Sequence, residues 1–251
     1  MTGDFRNIVA GVPERHDYTL GLNCGTFLRA EWAAAAMKTG LAPGAKVLEI
    51  GCGLGWASGV FGALGFDLLS IDASAEAVGE ARRRNPGRRF EVADGIDFPK
   101  PGAYDAIVAF EVLEHLADGP KAAAKWKDSL RPGGWLFLST PNRHYCMDNP
   151  AKPANPHHLR EYSAGELREL FPGCELRGIN LSVFRVARWG SLPVRALFYL
   201  AAAACAPFED EKSYAILGRE NFGKREMMYH LMGKRLPAFS EGLWLAWQKP
   251  A

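Results

Sequence analysis

The sequence predicts an α/β fold, in which helices cover both faces of a doubly wound, mostly parallel sheet. Two observations lead to this prediction. Short apolar runs alternate with segments of helical periodicity along most of the 251 residues, and the first apolar run ends in a glycine-rich turn. Strands separated by helices form βαβ units with right-handed crossovers, and such sheets bind ligands at the carboxyl ends of their strands. Functional residues are therefore expected just after each strand.

Seven apolar or alternating runs predict the strands of this sheet. They are residues 47–50, 66–72, 89–94, 104–110, 135–140, 174–181 and 243–248. Helical periodicity between the strands predicts helices at residues 55–64, 74–84, 121–130 and 163–171. Two of these helices carry capping signals, namely Ser74 as an N-cap and Ser163 with Glu166 as a capping box.

Two stretches lie outside this alternation of strands and helices. Residues 1–40 are interpreted as a helical lead-in. Residues 182–241 separate two strands of one sheet and carry many large aromatic side chains, so they are interpreted as a helical cap insertion. The main domain then comprises residues 1–181 and 242–251. A cap that closes over the strand ends would place an apolar wall around a bound molecule.

Composition and charge exclude several classes of protein. A net charge of +2, with 48% apolar and 23% charged residues, is typical of an ordinary globular protein and argues against a nucleic-acid partner. The arginines of residues 82–89 are interpreted as complementing a helix C-terminus rather than as a nucleic-acid patch. Five scattered cysteines are typical of reduced thiols, and a cytoplasmic location is expected. The apolar run at residues 196–208 is too short to span a bilayer, and contact with a membrane surface is the lower-ranked interpretation of it.

A glycine-rich loop, KVLEIGCGLGWASG at residues 46–59, follows from the first strand. It differs from the dinucleotide fingerprint GxGxxG, because Trp56 occupies the position of the last glycine and Gly55 arrives one residue early. Glu49, two residues before Gly51, would repel a pyrophosphate and attract a cation. The loop therefore suits a nucleoside ligand with positive charge and no phosphate, such as S-adenosylmethionine, and argues against an NAD-dependent dehydrogenase.

Acidic residues end the next two strands. Asp72 ends the second strand, where a carboxylate can accept hydrogen bonds from both ribose hydroxyls. Asp94, followed by Gly95, ends the third strand, where it can face the adenine amino group. Glu111 follows the fourth strand and faces the same edge. The predicted cofactor-binding residues are Glu49, Gly51, Cys52, Gly53, Gly55, Asp72, Asp94, Gly95 and Glu111.

Candidate catalytic groups follow the fourth and fifth strands. If a helical turn begins within FEVLEHL, residues 110–116, then Glu111, Glu114 and His115 share one face, since they stand at i, i+3 and i+4. His158 follows the neighbouring fifth strand. Glu111, His115 or His158 can orient an acceptor hydroxyl or take its proton, and all four groups can bind a hard divalent ion. A third interpretation is that Glu114 and His115 only cap or order the turn.

These motifs resemble those of the class I S-adenosylmethionine-dependent methyltransferases. The resemblance covers about residues 46–171 and rests on VLEIGCGLG, SID, VADG, YDAIVAFEVLEHL, LRPGGWLFLSTPN and HLREYSAGEL. It implies seven strands with the last one antiparallel, a glycine loop under the methionine part of the cofactor, and acids at the ribose and the adenine. The ExxEH turn with a later histidine is similar to that of methyltransferases of small-RNA 3′ ends and of ubiquinone precursors. That similarity leaves open a divalent metal ion at Glu111, Glu114, His115 and His158.

The resemblance implies an enzyme that transfers a methyl group from S-adenosylmethionine to a hydroxyl of a small, partly apolar acceptor. A nitrogen or carbon acceptor is also compatible with the sequence. Two further alternatives are an RNA 2′-O-methyltransferase, which the net charge of +2 disfavours, and a cofactor-binding protein without catalysis, which the intact ExxEH turn disfavours.

Overall fold

The computed structural model describes residues 20–143, 153, 155, 157–181, 212–216, 220–223 and 240–251 of the chain. The α-helices in this part are α1 (Leu20–Gly40), α2 (Trp56–Gly62), α3 (Ala75–Arg84), α4 (Gly119–Ser129) and α5 (Ala164–Leu170). A 3₁₀ turn lies at Leu113–His115. The strands are β1 (Lys46–Ile50), β2 (Asp67–Asp72), β3 (Arg89–Val92), β4 (Tyr104–Phe110), β5 (Leu130–Pro141), β6 (Glu175–Leu181), β7 (Lys212–Ile216), β8 (Glu220–Gly223) and β9 (Ser240–Gln248).

Seven of the strands form one sheet in the order β3-β2-β1-β4-β5-β9-β6. Strands β1 to β5 pair in parallel, whereas β9 is antiparallel to both of its neighbours, β5 and β6. The strand order reverses between β1 and β4, so the carboxyl ends of these two strands border a crevice of the kind that binds ligands. The predicted fold, a mostly parallel seven-stranded sheet with an antiparallel last strand, is confirmed.

Helices cover both faces of the sheet because its central strands are buried on both sides. In β1, Val47 lies in the apolar cluster that contains Ala33 of α1 and Phe61 of α2. The next residue, Leu48, lies in the cluster on the other face, which contains Trp126 of α4. A strand that is buried on both faces needs an almost continuous apolar run, which is why β1 and β4 show little polar alternation.

The helix caps follow the local sequence signals. The Ser74 hydroxyl accepts a hydrogen bond from a backbone N–H of the first turn of α3 at 3.2 Å. At the start of α5, the Glu166 carboxylate accepts from the Ser163 backbone N–H at 2.9 Å, and the Ser163 hydroxyl accepts from the Glu166 backbone N–H at 3.3 Å. Both predicted capping signals are confirmed. Helix α4 begins earlier than predicted, at Gly119, because the Asp118 side chain caps it and Pro120 suits its first turn.

Most of residues 182–241, the predicted helical cap, lies outside the described residues, as do residues 1–19 of the predicted lead-in. Two short strands are described within the insertion, β7 and β8, which pair antiparallel and were not predicted. The last strand of the main sheet, β9, begins at Ser240, where it pairs with Leu181 of β6. None of the described helices has the length and apolar character that crossing a membrane requires.

Candidate active site

The glycine loop between β1 and α2 depends on backbone angles that favour glycine. Gly51, Gly53 and Gly55 have φ values of 71°, 50° and 79°. A Cβ atom on Gly51 would lie 2.3 Å from a methyl carbon of Val112, so this glycine is required by close packing. A Cβ atom on Gly53 would meet no atom within 4 Å, so the backbone at this position faces open space in which a ligand can approach it closely.

The Glu49 carboxylate lies buried between β1, β2 and α2. It is 4% exposed, and one of its oxygens accepts hydrogen bonds from the hydroxyl of Ser58 and, at 2.6 Å, from the hydroxyl of Ser70. Burial raises the pKa of Glu49 from 4.5 to about 7 despite these hydroxyls, and the charge of Asp72 adds to the rise. Glu49 thus lies buried within the domain beside the loop and is held by two serine hydroxyls.

Asp72 connects the end of β2 to the glycine loop. Its Oδ2 accepts a hydrogen bond from the Gly53 backbone N–H at 2.8 Å, and its Oδ1 accepts one from the Ser74 backbone N–H at 2.9 Å. Each carboxylate oxygen has a second acceptor position, which can receive a ribose hydroxyl. Cys52, between Gly51 and Gly53, carries a buried thiol. Burial raises the pKa of this thiol, so it stays protonated.

Asp94 and Gly95 lie in the turn after β3. Asp94 Oδ1 accepts hydrogen bonds from the backbone N–H groups of Ile96 and Asp97 at 2.8 and 2.9 Å. Asp94 Oδ2 makes no hydrogen bond within the described part of the chain and faces solvent. The carbonyl of Gly95 accepts from the indole N–H of Trp126 at 2.7 Å, which fixes the turn to α4. The geometry therefore presents one free carboxylate oxygen at the position that the sequence assigned to adenine.

Glu111 follows β4 in a strained conformation. Its φ of 55° is the one positive value among the described residues other than glycine. Its backbone N–H donates to the carbonyl of Ser139 at 2.9 Å, and its Oε1 accepts from the Ser139 hydroxyl at 2.7 Å and from Nη1 of Arg29 at 2.6 Å. The prediction that one helical turn carries Glu111 together with the following acid and histidine is wrong, because the left-handed Glu111 stands apart from the 3₁₀ turn that starts at Leu113.

Glu114 is fully buried behind this turn. Its Oε2 accepts a hydrogen bond from the Thr140 hydroxyl at 3.0 Å, whereas its Oε1 has no partner among the described residues. Burial, and then the charge of Glu111, raises the pKa of Glu114 well above its usual 4.5. The Glu114 carbonyl accepts from the backbone N–H groups of Leu159 and Arg160, which brings the His158 segment against the turn.

His115 and His158 face each other with ring centroids 4.9 Å apart and planes at 81°. His158 is held at both nitrogens, since Nδ1 lies 3.1 Å from the Glu161 carboxylate and Nε2 lies 3.0 Å from the side-chain nitrogen of Asn155. His115 Nδ1 lies 3.0 Å from the His157 carbonyl, which can only accept, so Nδ1 carries the proton. Nε2 of a neutral His115 is therefore an acceptor, and within the described residues no hydrogen bond engages it.

The structure brings three of the four predicted metal ligands together. Ligand atoms of Glu114, His115 and His158 lie within 4.8 Å of one another. The fourth predicted ligand, Glu111, lies outside the trio because Arg29 and Ser139 bind its carboxylate.

Several residues of this site escaped the sequence analysis. Arg29 carried one usable signal, since it is a lone basic residue in the apolar stretch TFLRAEWAAAAM, which predicts a buried partner. Ser58 and Ser70 carried none, because their partnership with Glu49 depends on the strand register that places Ser70 beside it.

The fold and the site together define a class. A sheet with this strand order, a glycine loop after β1 and acids after β2 and β3 are the features of a class I methyltransferase domain that binds a nucleoside. The family model described as a methyltransferase domain matches residues 25–180. The chain therefore belongs to this family, and the predicted membership of the class I S-adenosylmethionine-dependent methyltransferases is confirmed.

Relatives of the chain are similar over the same region. A probable S-adenosylmethionine-dependent methyltransferase of Mycolicibacterium smegmatis is 35% identical over 157 residues, which are 61% of this chain and 60% of that protein. A ubiquinone biosynthesis O-methyltransferase of Burkholderia thailandensis is 35% identical over 108 residues, which are 41% of this chain and 47% of that protein. The chain thus matches about half of the length of these relatives.

Solved structures share the fold at low sequence identity. The YcgJ protein of Bacillus subtilis has a TM-score of 0.54 at 15% identity, covering 90% of this chain and 99% of that one. An S-adenosylmethionine-dependent methyltransferase of Archaeoglobus fulgidus has a TM-score of 0.55 at 13% identity, covering 88% of this chain and 94% of that one. This likeness extends the agreement in fold beyond the residues that the family model matches.

Replacing Glu49 by Gln should change how stability depends on pH. The raised pKa of Glu49 means that the unfolded chain loses this proton near pH 4.5 and the folded chain near pH 7. The free energy of unfolding of the wild type therefore falls between these values as pH rises, and the uncharged variant lacks that fall. We expect the variant to gain roughly 3 kcal/mol relative to the wild type between pH 4.5 and pH 8, since one pKa unit is about 1.4 kcal/mol.

Urea denaturation at a series of pH values measures this difference. The same substitution at Glu91, an exposed carboxylate on β3, reports the effect of removing one surface charge. A stability difference between Glu49→Gln and the wild type that stays constant from pH 4.5 to pH 8 would show that the buried carboxylate does not titrate in this window.

Proposed function

We propose that this protein is an S-adenosylmethionine-dependent methyltransferase that methylates a hydroxyl group of a small, partly apolar acceptor. The observation that carries the proposal is the placement of two features at one edge of the sheet. The glycine loop with its two acids follows β1, β2 and β3, and the histidine pair follows β4 and β5. When bound, S-adenosylmethionine supplies an electrophilic methyl group on a sulfonium.

The cofactor half of the site fits this nucleoside in shape and charge. The open space over Gly53 admits the methionine part close to the backbone. Asp72 retains an acceptor position on each oxygen for the ribose hydroxyls, and Asp94 has one free oxygen for the adenine amino group. The carboxylates of Glu49 and Asp72 give the region a negative potential, which favours a ligand with an ammonium and a sulfonium.

Of the two histidines in the acceptor half of the site, His115 has the ring nitrogen that makes no hydrogen bond within the described residues. Both ring nitrogens of His158 make hydrogen bonds, one with Glu161 and the other with Asn155. His115 makes one through Nδ1. His115 Nε2 is therefore the group that removes the proton, and His158 orients the His115 ring. A hydroxyl that loses its proton to His115 becomes the nucleophile that displaces the sulfur from the methyl carbon in line.

The similarity to the Burkholderia thailandensis protein supports a hydroxyl acceptor, since that protein is a ubiquinone biosynthesis O-methyltransferase. Transfer to a nitrogen or a carbon would not require a base in every case, and it would leave the histidine pair unexplained. A small acceptor with a ring or an apolar chain agrees with the aromatic content of residues 182–241.

RNA is the second candidate acceptor, and the arginine-rich stretch is its main support. Most of those arginines are engaged within the domain. Arg83 and Arg84 bind Glu80, and Arg89 binds Asp67. Because three of these arginines pair with Glu80 and Asp67 and the net charge is only +2, a small molecule is the better-supported acceptor.

Replacing Asp72 by Ala should weaken the binding of S-adenosylhomocysteine tenfold or more. Each hydrogen bond to a charged acceptor contributes about 1.5–3 kcal/mol, and about 1.4 kcal/mol is a factor of ten. Titration calorimetry measures the change, and Asp128→Ala, on the exposed surface of α4, is the matched control.

Because Asp72 also binds Gly53, the variant has to be tested with two ligands. The affinity of the wild type should fall when the ribose hydroxyls are removed, as in a 2′,3′-dideoxy analogue of the ligand. In Asp72→Ala this difference between the ligands should vanish. An equal difference in both proteins would mean that Asp72 acts through the loop and not on the ribose.

Replacing His115 by Ala should lower turnover by about 10²–10⁴ while cofactor affinity is retained, because the acceptor hydroxyl then lacks its base. Added imidazole should restore part of the activity, which a purely structural defect would not allow. His157→Ala is the matched control, since this exposed residue bonds to His115 through its backbone carbonyl, which the substitution keeps. Full activity of His115→Ala on the true acceptor would refute the assignment of the base.

Removing most of residues 182–241 should spare cofactor binding and abolish selectivity among acceptors. Leu181 and Ser240 are partners in the β6–β9 pair, so a two-residue Asn-Gly turn can join them and preserve both strands. All predicted cofactor residues lie between 49 and 111, outside the deleted segment. Limited proteolysis of the full chain should cut within 182–241 first, and cofactor product plus acceptor should slow that cut.

Normal methylation of the true acceptor by the shortened chain would show that this insertion does not form the acceptor pocket. An interaction surface would then be the better explanation of its aromatic content.

A further inference from the structure

The ion pair between Arg29 and Glu111 joins two distant parts of the chain at the candidate active site. Arg29 lies in α1 and Glu111 lies at the end of β4, and Nη1 is 2.6 Å from Oε1. The side chains are 9% and 36% exposed, respectively. A guanidinium this deeply buried needs a negative partner, and Glu111 provides it.

The same carboxylate stands at the first position of the ExxEH turn. In a metal-dependent version of this site, Glu111 would bind the ion together with Glu114, His115 and His158. Here only the last three bring ligand atoms together, within 4.8 Å. Glu111 contributes no atom to this group, and its carboxylate already holds the cationic Arg29 guanidinium, so the donor set does not fit a four-ligand divalent site.

The ion pair also fixes a strained backbone. A positive φ for a residue with a side chain persists only where surrounding contacts determine it. At Glu111 these contacts are the pairing of its backbone N–H with Ser139 and the two hydrogen bonds to its carboxylate. The 3₁₀ turn that carries Glu114 and His115 starts two residues later, so its placement depends on how Glu111 is held.

We infer that Arg29 is a positioning residue of the active site, whose guanidinium takes at Glu111 the place of a divalent cation and holds the ExxEH turn without a metal. The positive charge of Arg29 balances Glu111, which lies close enough to Glu114 for their charges to interact. The N-terminal helix α1 is then part of the catalytic unit and not only a cover for the sheet. The activity arm of the test rests on the proposed function, and the metal-binding arm does not.

The test is to remove the charge of Arg29 and measure binding of Mn²⁺ to the full-length protein by electron paramagnetic resonance. Arg29→Met leaves Glu111 without its cation, and Glu111 lies close enough to Glu114 for their charges to interact. We expect Mn²⁺ to bind this variant at least about tenfold more tightly than the wild type. The double variant Arg29→Met, Glu111→Gln should return to the wild-type level, and Arg29→Lys should stay there.

Two further measurements keep the test decisive. Arg29→Gln keeps a hydrogen-bond donor toward Glu111 without the charge, so it should gain Mn²⁺ affinity even if the Met variant fails to fold. Turnover of the wild type should be unaffected by EDTA, and the turnover that Arg29→Gln loses should be restored by Mn²⁺. A residue with a purely structural role would lower stability without creating a dependence on metal.

Either of two results would overturn the inference. One is a wild type that binds Mn²⁺ as tightly as the variants or loses turnover in EDTA. The other is a pair of folded variants, Arg29→Met and Arg29→Gln, that gain no Mn²⁺ affinity. If no acceptor is ever methylated, the proposed function fails, while the Mn²⁺ titrations still decide the role of Arg29.

Discussion

The hydrogen bond from the Gly53 backbone N–H to the Asp72 carboxylate joins the two strand ends on which the cofactor site depends. Gly53 belongs to the loop after β1, and Asp72 ends β2. The two strands are parallel neighbours, with Ile50 opposite Ile71, so their carboxyl ends lie side by side. Left-handed glycines let the loop turn back toward β2, and the carboxylate fixes it there while keeping acceptor positions for a ligand. Sheet register thus sets the geometry of the site.

Three carboxylates near the strand ends, two of them buried, are the main electrostatic cost of this arrangement, and the chain balances each of the three differently. Glu49 accepts hydrogen bonds from two serine hydroxyls, and its pKa is still raised by burial. Glu114 accepts a hydrogen bond from one hydroxyl, and its other oxygen has no partner among the described residues. Glu111 accepts a hydrogen bond from a hydroxyl and pairs with the positive charge of Arg29. The least compensated carboxylate therefore lies beside the histidine pair, where a polar acceptor or a proton can complete its hydrogen bonding.

The sequence predicted the fold, and it predicted which residues meet at the carboxyl ends of β1 and β2, because these signals are local. Apolar runs, serine caps and the glycine loop each act within a few residues, and the parallel topology then places Asp72 beside Gly53. Contacts between distant segments have little signal in the local sequence. The pairing of Arg29 with Glu111 spans 82 positions, and the left-handed turn at Glu111 opposes the helical pattern of FEVLEHL. The sequence therefore placed Glu111 in one turn with His115, where the structure separates them.

This difference in sequence signal corresponds to the difference between the candidate cofactor half and the proposed acceptor half of the site. The predicted cofactor-binding residues lie at strand ends and in the glycine loop, and all of them fall within residues 25–180, the stretch that the family model matches. The proposed acceptor contacts begin in that stretch, at His115 and His158, and extend to residues 182–241, which lie beyond it. Strand ends tolerate little change because their register is fixed by the sheet, whereas an insertion between two paired strands can vary without disturbing either. Acceptor choice in this protein is therefore expected to depend on the insertion, and cofactor choice on the sheet.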